Sequence, residues 1–205
     1  MSKTNVDHLQ DLKEIRSIME RSSRFISLSG LSGIFAGIFA LLGAAVAHYY
    51  MTTCLFGNNC GFFPEDPYLF FLINAAVVVT LAVSAGIFFT TRQARKKGQS
   101  IWDSTSRRLI INLAIPLAAG GVFCLALLYH GFIGFVAPAT LIFYGLALLN
   151  GSKFTLDNIR YLAISEIVLG LIAMFYIGSG LLFWTIGFGV LHIVYGTVMY
   201  LKYER

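Results

Sequence analysis

The chain has 205 residues, of which 57% are hydrophobic and only 12% charged, with a formal net charge of +5. Soluble domains carry about twice that share of charge, so a water-soluble globule is excluded and an all-α integral membrane protein is predicted. No Gly-Lys-Ser phosphate loop, His-Glu-x-x-His helix, Gly-x-Ser-x-Gly elbow or acidic metal cluster occurs, so neither an enzyme nor a bound cofactor or metal is expected.

Residues 1–24 read as a cytoplasmic amphipathic helix. Thr4 or Asn5 caps it, and Val6, Leu9, Leu12, Ile15 and Met19 recur at helical spacing, which suits a helix lying on a membrane surface or touching a partner. Residues 25–205 form a single transmembrane domain. A helix needs about 20 apolar residues to cross a bilayer, and six such runs follow, at 25–48, 68–91, 109–129, 132–149, 161–177 and 181–200. They are continuous rather than alternating, so they predict a bundle of helices and not a barrel. Ala45-Val46-Ala47 mimics a signal-peptide cleavage site, but the long polar start and long apolar run argue against cleavage.

The first run carries Ser29, Gly33 and Gly37 at every fourth position, a spacing that lets helices approach closely. Packing inside the bundle and pairing with a second copy both fit this stripe. The loop after it holds Cys54 and Cys60. In an oxidising compartment these would form a disulfide, and their separation argues against a redox-active pair.

All 15 Lys and Arg residues fall in alternate segments, on one side of the six runs. Positive residues stay inside, so both termini are expected in the cytoplasm, with a bacterial inner membrane as the expected location. The basic surplus is thereby read as a lipid-facing topology signal, and no nucleic-acid partner is expected. Arg92, Arg95, Lys96 and Lys97 are the densest group and are candidates for anionic headgroups.

Three short segments recur near the inner ends of the even-numbered runs: Ile87-Phe88-Phe89-Thr90, Ile142-Phe143-Tyr144-Gly145 and Ile193-Val194-Tyr195-Gly196. Together with an Arg before each odd-numbered run, they suggest three tandem helical hairpins. This organisation resembles that of small acid-resistance membrane proteins built from three repeated hairpins, although no shared motif assigns the chain to them.

Ionisable residues inside such runs are costly to insert and are functional candidates by default. Glu166 and His192 are placed to meet, because the fifth and sixth runs are antiparallel and joined by a short turn. Small residues share their faces: Ala163, Gly170 and Ala173 with Glu166, and Thr185, Gly189 and Gly196 with His192. Asn112, Tyr144 and Ser84 lie at similar depth, so a buried polar layer responsive to protons or ions is expected. Pro116 and Pro138 fall within runs three and four and would each free a carbonyl. Asn74 reads as an interhelical hydrogen bonder.

Two functional classes follow. The leading one is transport or conduction of an ion, proton or small solute, working as a homo-oligomer. The alternative is a non-transporting stress-response, sensor or accessory protein that binds lipid or a protein partner.

Overall fold

Hydropathy selects helices here, and capping residues set where they begin. The computed structural model describes residues 29–57, 60–98, 102–155 and 158–205. The amphipathic helix expected over 1–24, and the start of the first run at 25–28, lie outside the described residues. Of the described residues 86% are helical, and there is no strand among them.

Helix α1 spans Gly30–Tyr50 and continues as a π-helical turn, Met51–Leu55. Ser29 precedes it in extended conformation without capping through its own side chain. The cap comes from the other end of the protein. The Glu204 carboxylate accepts from the Gly30 N–H, and the Ser29 hydroxyl donates to it at 3.2 Å. An anion at a helix N-terminus meets unsatisfied N–H groups and the positive end of the helix dipole.

Helix α2 spans Pro67–Lys96. Asp66 caps it by accepting from the Tyr68 N–H at 2.9 Å, and Pro67 occupies the first helical position, where an N–H is not needed. It runs past the expected end at 91, because Arg92, Gln93, Arg95 and Lys96 are good helix formers. Helix α3 spans Ser104–Tyr129, opened by Asp103, whose carboxylate accepts from the Ser106 N–H at 2.6 Å. That backbone bond holds the Asp103 carboxyl below its ordinary value. Its stabilisation is therefore present above the unfolded carboxyl range and is lost as pH falls through the lowered native value. Asp103→Ala should cost about 1 kcal/mol at neutral pH. Thermal unfolding in detergent against pH checks this, and the gap between variant and wild type should close in acid.

Pro116 lies inside α3. Its missing N–H leaves the Asn112 carbonyl without its intrahelical donor, and Asn150 on the next helix supplies one at 2.9 Å. A 3₁₀ turn, Ile133–Phe135, then leads into α4, Val136–Gly151. Pro138 is the third residue of α4 and sits in its first turn, where N–H groups lack partners anyway. It therefore differs from Pro116, which sits deep in its helix.

Helix α5 spans Asn158–Ala173, only 16 residues. The chain turns at Met174 to Tyr176 and enters a 3₁₀ turn, Ile177–Ser179, so the fifth helix ends well before the expected 177. The last rod is composite: α6, Gly180–Trp184, a π-helical segment, Thr185–Leu191, and α7, His192–Tyr203.

Five helices are long and apolar enough to cross a membrane: Gly30–Leu55, Pro67–Lys96, Ser104–Tyr129, Ile133–Phe154 and Ile177–Tyr203. At about 1.5 Å per residue, α5 reaches roughly 24 Å, less than a hydrocarbon core of about 30 Å.

Sequence neighbours pack antiparallel in α1–α2, α3–α4 and α4–α5, and α7 returns to pack on α1. Glycines set these contacts. A Cβ on Gly37 would lie 2.7 Å from the Gly189 carbonyl, one on Gly145 would lie 2.8 Å from the Ala163 carbonyl, and one on Gly170 would lie 3.0 Å from the Ile142 nitrogen. Asn74 donates to the Gly43 carbonyl at 3.1 Å and ties α2 to α1. Helices α2 and α3 flank the bundle and bury little of themselves: 6% and 11% of their most apolar windows. Because neighbours alternate in direction, the described Lys and Arg residues gather at one end.

At the opposite end Tyr50 is fully buried, stacked on Phe70 at 3.7 Å, and its hydroxyl donates to the Pro64 carbonyl at 3.0 Å. Tyr50 thus closes α1 and α2 at the end opposite the basic one. Phe62 and Tyr68 are exposed there, as Trp102 and Tyr161 are at the basic end.

Candidate functional site

Glu166 lies near the midpoint of α5, among the small residues Ala163 and Gly170, and is fully buried. It faces the π-helical segment rather than a regular α-helix. Its Oε1 is 3.4 Å from Nδ1 of His192, the first residue of α7. Neither carboxylate oxygen has a hydrogen-bond partner among the described residues.

His192 is better satisfied. Nδ1 lies 3.0 Å from the Gly187 carbonyl, and Nε2 lies 2.8 Å from the Tyr144 hydroxyl. A carbonyl can only accept, so Nδ1 carries a proton and donates to Gly187. In the neutral ring Nε2 then accepts from the Tyr144 O–H. The π-helical segment contributes directly. The His192 backbone N–H bonds to the Gly189 carbonyl, while the Gly187 carbonyl five residues back takes the imidazole. π-Turns recur at functional positions for such reasons.

Gly187 is required by the carboxylate as well. A Cβ there would lie 2.6 Å from Glu166 Oε2 and would also strike the Leu141 side chain. Around the imidazole, Phe188 stacks on His192 at 5.8 Å, Trp184 packs on Phe188 at 5.0 Å, and Tyr144 packs on Phe188 at 5.0 Å. Trp184, Phe188 and His192 follow one another at four-residue steps along the last rod. The result is a polar row, Tyr144–His192–Glu166, walled by aromatic and aliphatic side chains. Tyr144 is its half-buried end and Glu166 its closed end.

Two other members of the expected polar layer are elsewhere. Asn112 lies on the α3–α4 contact, its side chain donating to the Arg108 carbonyl of its own helix at 2.8 Å and its carbonyl accepting from Asn150. Ser84 lies on an exposed face of α2. Equal depth along separate helices does not bring side chains together, and both placements are corrected.

Cys54 and Cys60 are joined, with Cα atoms 4.5 Å apart. Ser29 meets Glu204, and Gly33 and Gly37 face α7, whose Gly196 and Ile193 they approach. Arg92, Arg95 and Lys96 are exposed at the end of α2, and Lys97 closes that helix. No cluster of three His, Cys, Asp or Glu suited to a metal occurs among the described residues.

Sequence reasoning missed the Gly187 carbonyl, the Trp184–Phe188 wall, the Asn150 bond and the Glu204 cap. A signal existed for the first: Gly187 and Gly189 with Thr185 are poor helix formers directly before an intramembrane His. Glu204 left no such trace, because its partner lies 174 residues away.

Among the described residues, fold and site together define an all-helical protein with several helices fit to cross a membrane and an enclosed ionisable pair. The chain matches no known protein family, no curated protein and no solved structure.

Proposed function

We propose that this is a six-crossing membrane protein that moves protons, or an ion or small solute coupled to them, with Tyr144, His192 and Glu166 as its proton-responsive element. The single observation that carries this reading is Glu166: a fully buried carboxyl without a hydrogen-bond partner, 3.4 Å from an imidazole nitrogen. A buried carboxyl that only cemented helices would have its oxygens bonded. One that exchanges a proton with its neighbour needs a partner within reach and freedom to change state.

The chemistry is a relay. Tyr144 passes its hydroxyl proton to His192 Nε2 and is reprotonated from its half-buried side, while Nδ1 turns its proton from the Gly187 carbonyl to ionised Glu166 Oε1. Transport then requires the closed end of the row to open so that Glu166 releases that proton. The ring returns to its starting form when the tautomer resets. In this reading α5 counts as a crossing despite its length, and both termini lie at the basic, cytoplasmic end. The exposed flanks of α2 and α3 are left to lipid or to a second copy.

Liposomes containing the protein and a trapped pH dye test the proposal. An imposed pH gradient should collapse faster than in empty vesicles, and Glu166→Gln should abolish the excess. Equal rates in wild type and Glu166→Gln would overturn it. The enclosure of the row favours one second reading, a non-transporting membrane protein in which the row only locks α4, α5 and the last rod together. Absence of flux in the wild type would select it.

A further inference from the structure

Helix α2 ends at the basic face of the bundle without a neighbour along one side. Its last stretch, from Ser84 to Lys96, bears an open groove of about 800 Å³, within the roughly 300–1,000 Å³ of small-molecule sites. The groove is chemically graded. Arg92, Arg95 and Lys96 form its mouth at three- and four-residue spacing and share one helix end. Thr91 supplies a hydroxyl just below them, Ile87 and Phe88, both more than 60% exposed, supply an apolar floor, and Ser84 lies beyond it.

None of the three cations is paired with a carboxylate among the described residues. The following helix does not cover the groove either, since α2 and α3 make no extensive contact although they are consecutive. A charge run alone would be an ordinary topology signal. Here the charge opens onto one hydroxyl and then onto apolar side chains within one helix face, the order in which a phospholipid headgroup is followed by its chain.

We propose that this groove is a binding site for an anionic phospholipid of the leaflet at the basic end. Its phosphate would be held by Arg92, Arg95 and Lys96, and its chain would lie along Ile87 and Phe88. Arginine offers bidentate donors to phosphate oxygens, and each basic side chain near an anionic surface adds attraction.

The full chain, purified in mild detergent with mixed phosphatidylglycerol and phosphatidylcholine, should retain phosphatidylglycerol preferentially by native mass spectrometry. The Arg92→Gln/Arg95→Gln/Lys96→Gln variant should lose that preference about tenfold or more. Phe88→Ala should weaken retention of phosphatidylglycerol without changing competition by inorganic phosphate, which separates a lipid from a free anion. Arg107→Gln/Arg108→Gln, two exposed cations at the same end but on α3, should leave the preference intact. Equal loss in the α3 variant, or full displacement of the lipid by phosphate, would overturn the proposal. So would a triple α2 variant that keeps its lipid but loses thermal stability, because that would give the groove to the chain's own residues 1–24.

Discussion

Replacing His192 by leucine should destabilise the protein by about 3 kcal/mol, whereas replacing Glu166 by leucine should cost little or even stabilise it. The asymmetry follows from who depends on whom. With Glu166 gone, His192 keeps the Gly187 carbonyl at 3.0 Å and the Tyr144 hydroxyl at 2.8 Å, and leucine fills similar space beside Leu141 and Leu169. With His192 gone, Glu166 loses the imidazole 3.4 Å away, and a fully buried carboxyl is left among apolar atoms. The Tyr144 hydroxyl and the Gly187 carbonyl lose a partner too. Reversible unfolding of both single variants and the double variant gives the coupling between the two positions. The double variant should recover much of the His192→Leu loss, because it also removes the buried carboxyl that the imidazole lay beside. Equal costs for the two single variants would mean that Glu166 contributes to the fold as much as His192 does. Measured beside flux, the same variants separate structure from function. Glu166→Leu should keep the fold and lose the activity, as expected for a polar group retained at the expense of packing.

How much of this was readable beforehand depends on which physical signal each feature leaves in the chain. Helix existence was legible from hydropathy, and the gathering of Lys and Arg at one end of the bundle from their alternation between runs. Helix ends were legible where Asp66 and Asp103 precede the helices they cap, but not at Ala173, where the chain stays apolar through Phe175 and Tyr176 and simply turns. Lateral neighbours were legible only through glycine, since lipid-facing and protein-facing side chains are equally apolar in such a chain. Gly33, Gly37, Gly170 and Gly196 therefore pointed to real close contacts, while Ser84 and Asn112 shared a depth with Glu166 and nothing else. The meeting of Glu166 and His192 was legible because one short turn joins their helices. Tyr144 enters the row because α4 packs on α5, a contact that the spacing of Gly145 and Gly170 allows.

Gly196→Ala should destabilise the fold by about 1–3 kcal/mol through overpacking, and Gly196→Leu should separate α1 from α7. A Cβ on Gly196 would lie 2.6 Å from both the Gly30 carbonyl and the Ile34 nitrogen, and 3.0 Å from the Gly33 carbonyl carbon. These are main-chain atoms of a neighbouring helix, so no side chain can swing aside and α1 itself must move. Moving α1 also withdraws the Gly30 N–H from Glu204, so the cap is strained together with the packing. Gly86 and Gly121 provide the control, because a Cβ there meets nothing within 4 Å. Alanine at either should be neutral or stabilising by up to about 1 kcal/mol from helix propensity alone. Unfolding of the four variants under one condition checks the ranking. The result also decides what the small-residue stripe is for. If Gly33 and Gly37 serve the contact with α7, Gly33→Leu should lower stability at unchanged molecular mass in detergent. If they serve a second copy, the same substitution should lower the oligomeric mass and leave the unfolding of the single chain largely as it was.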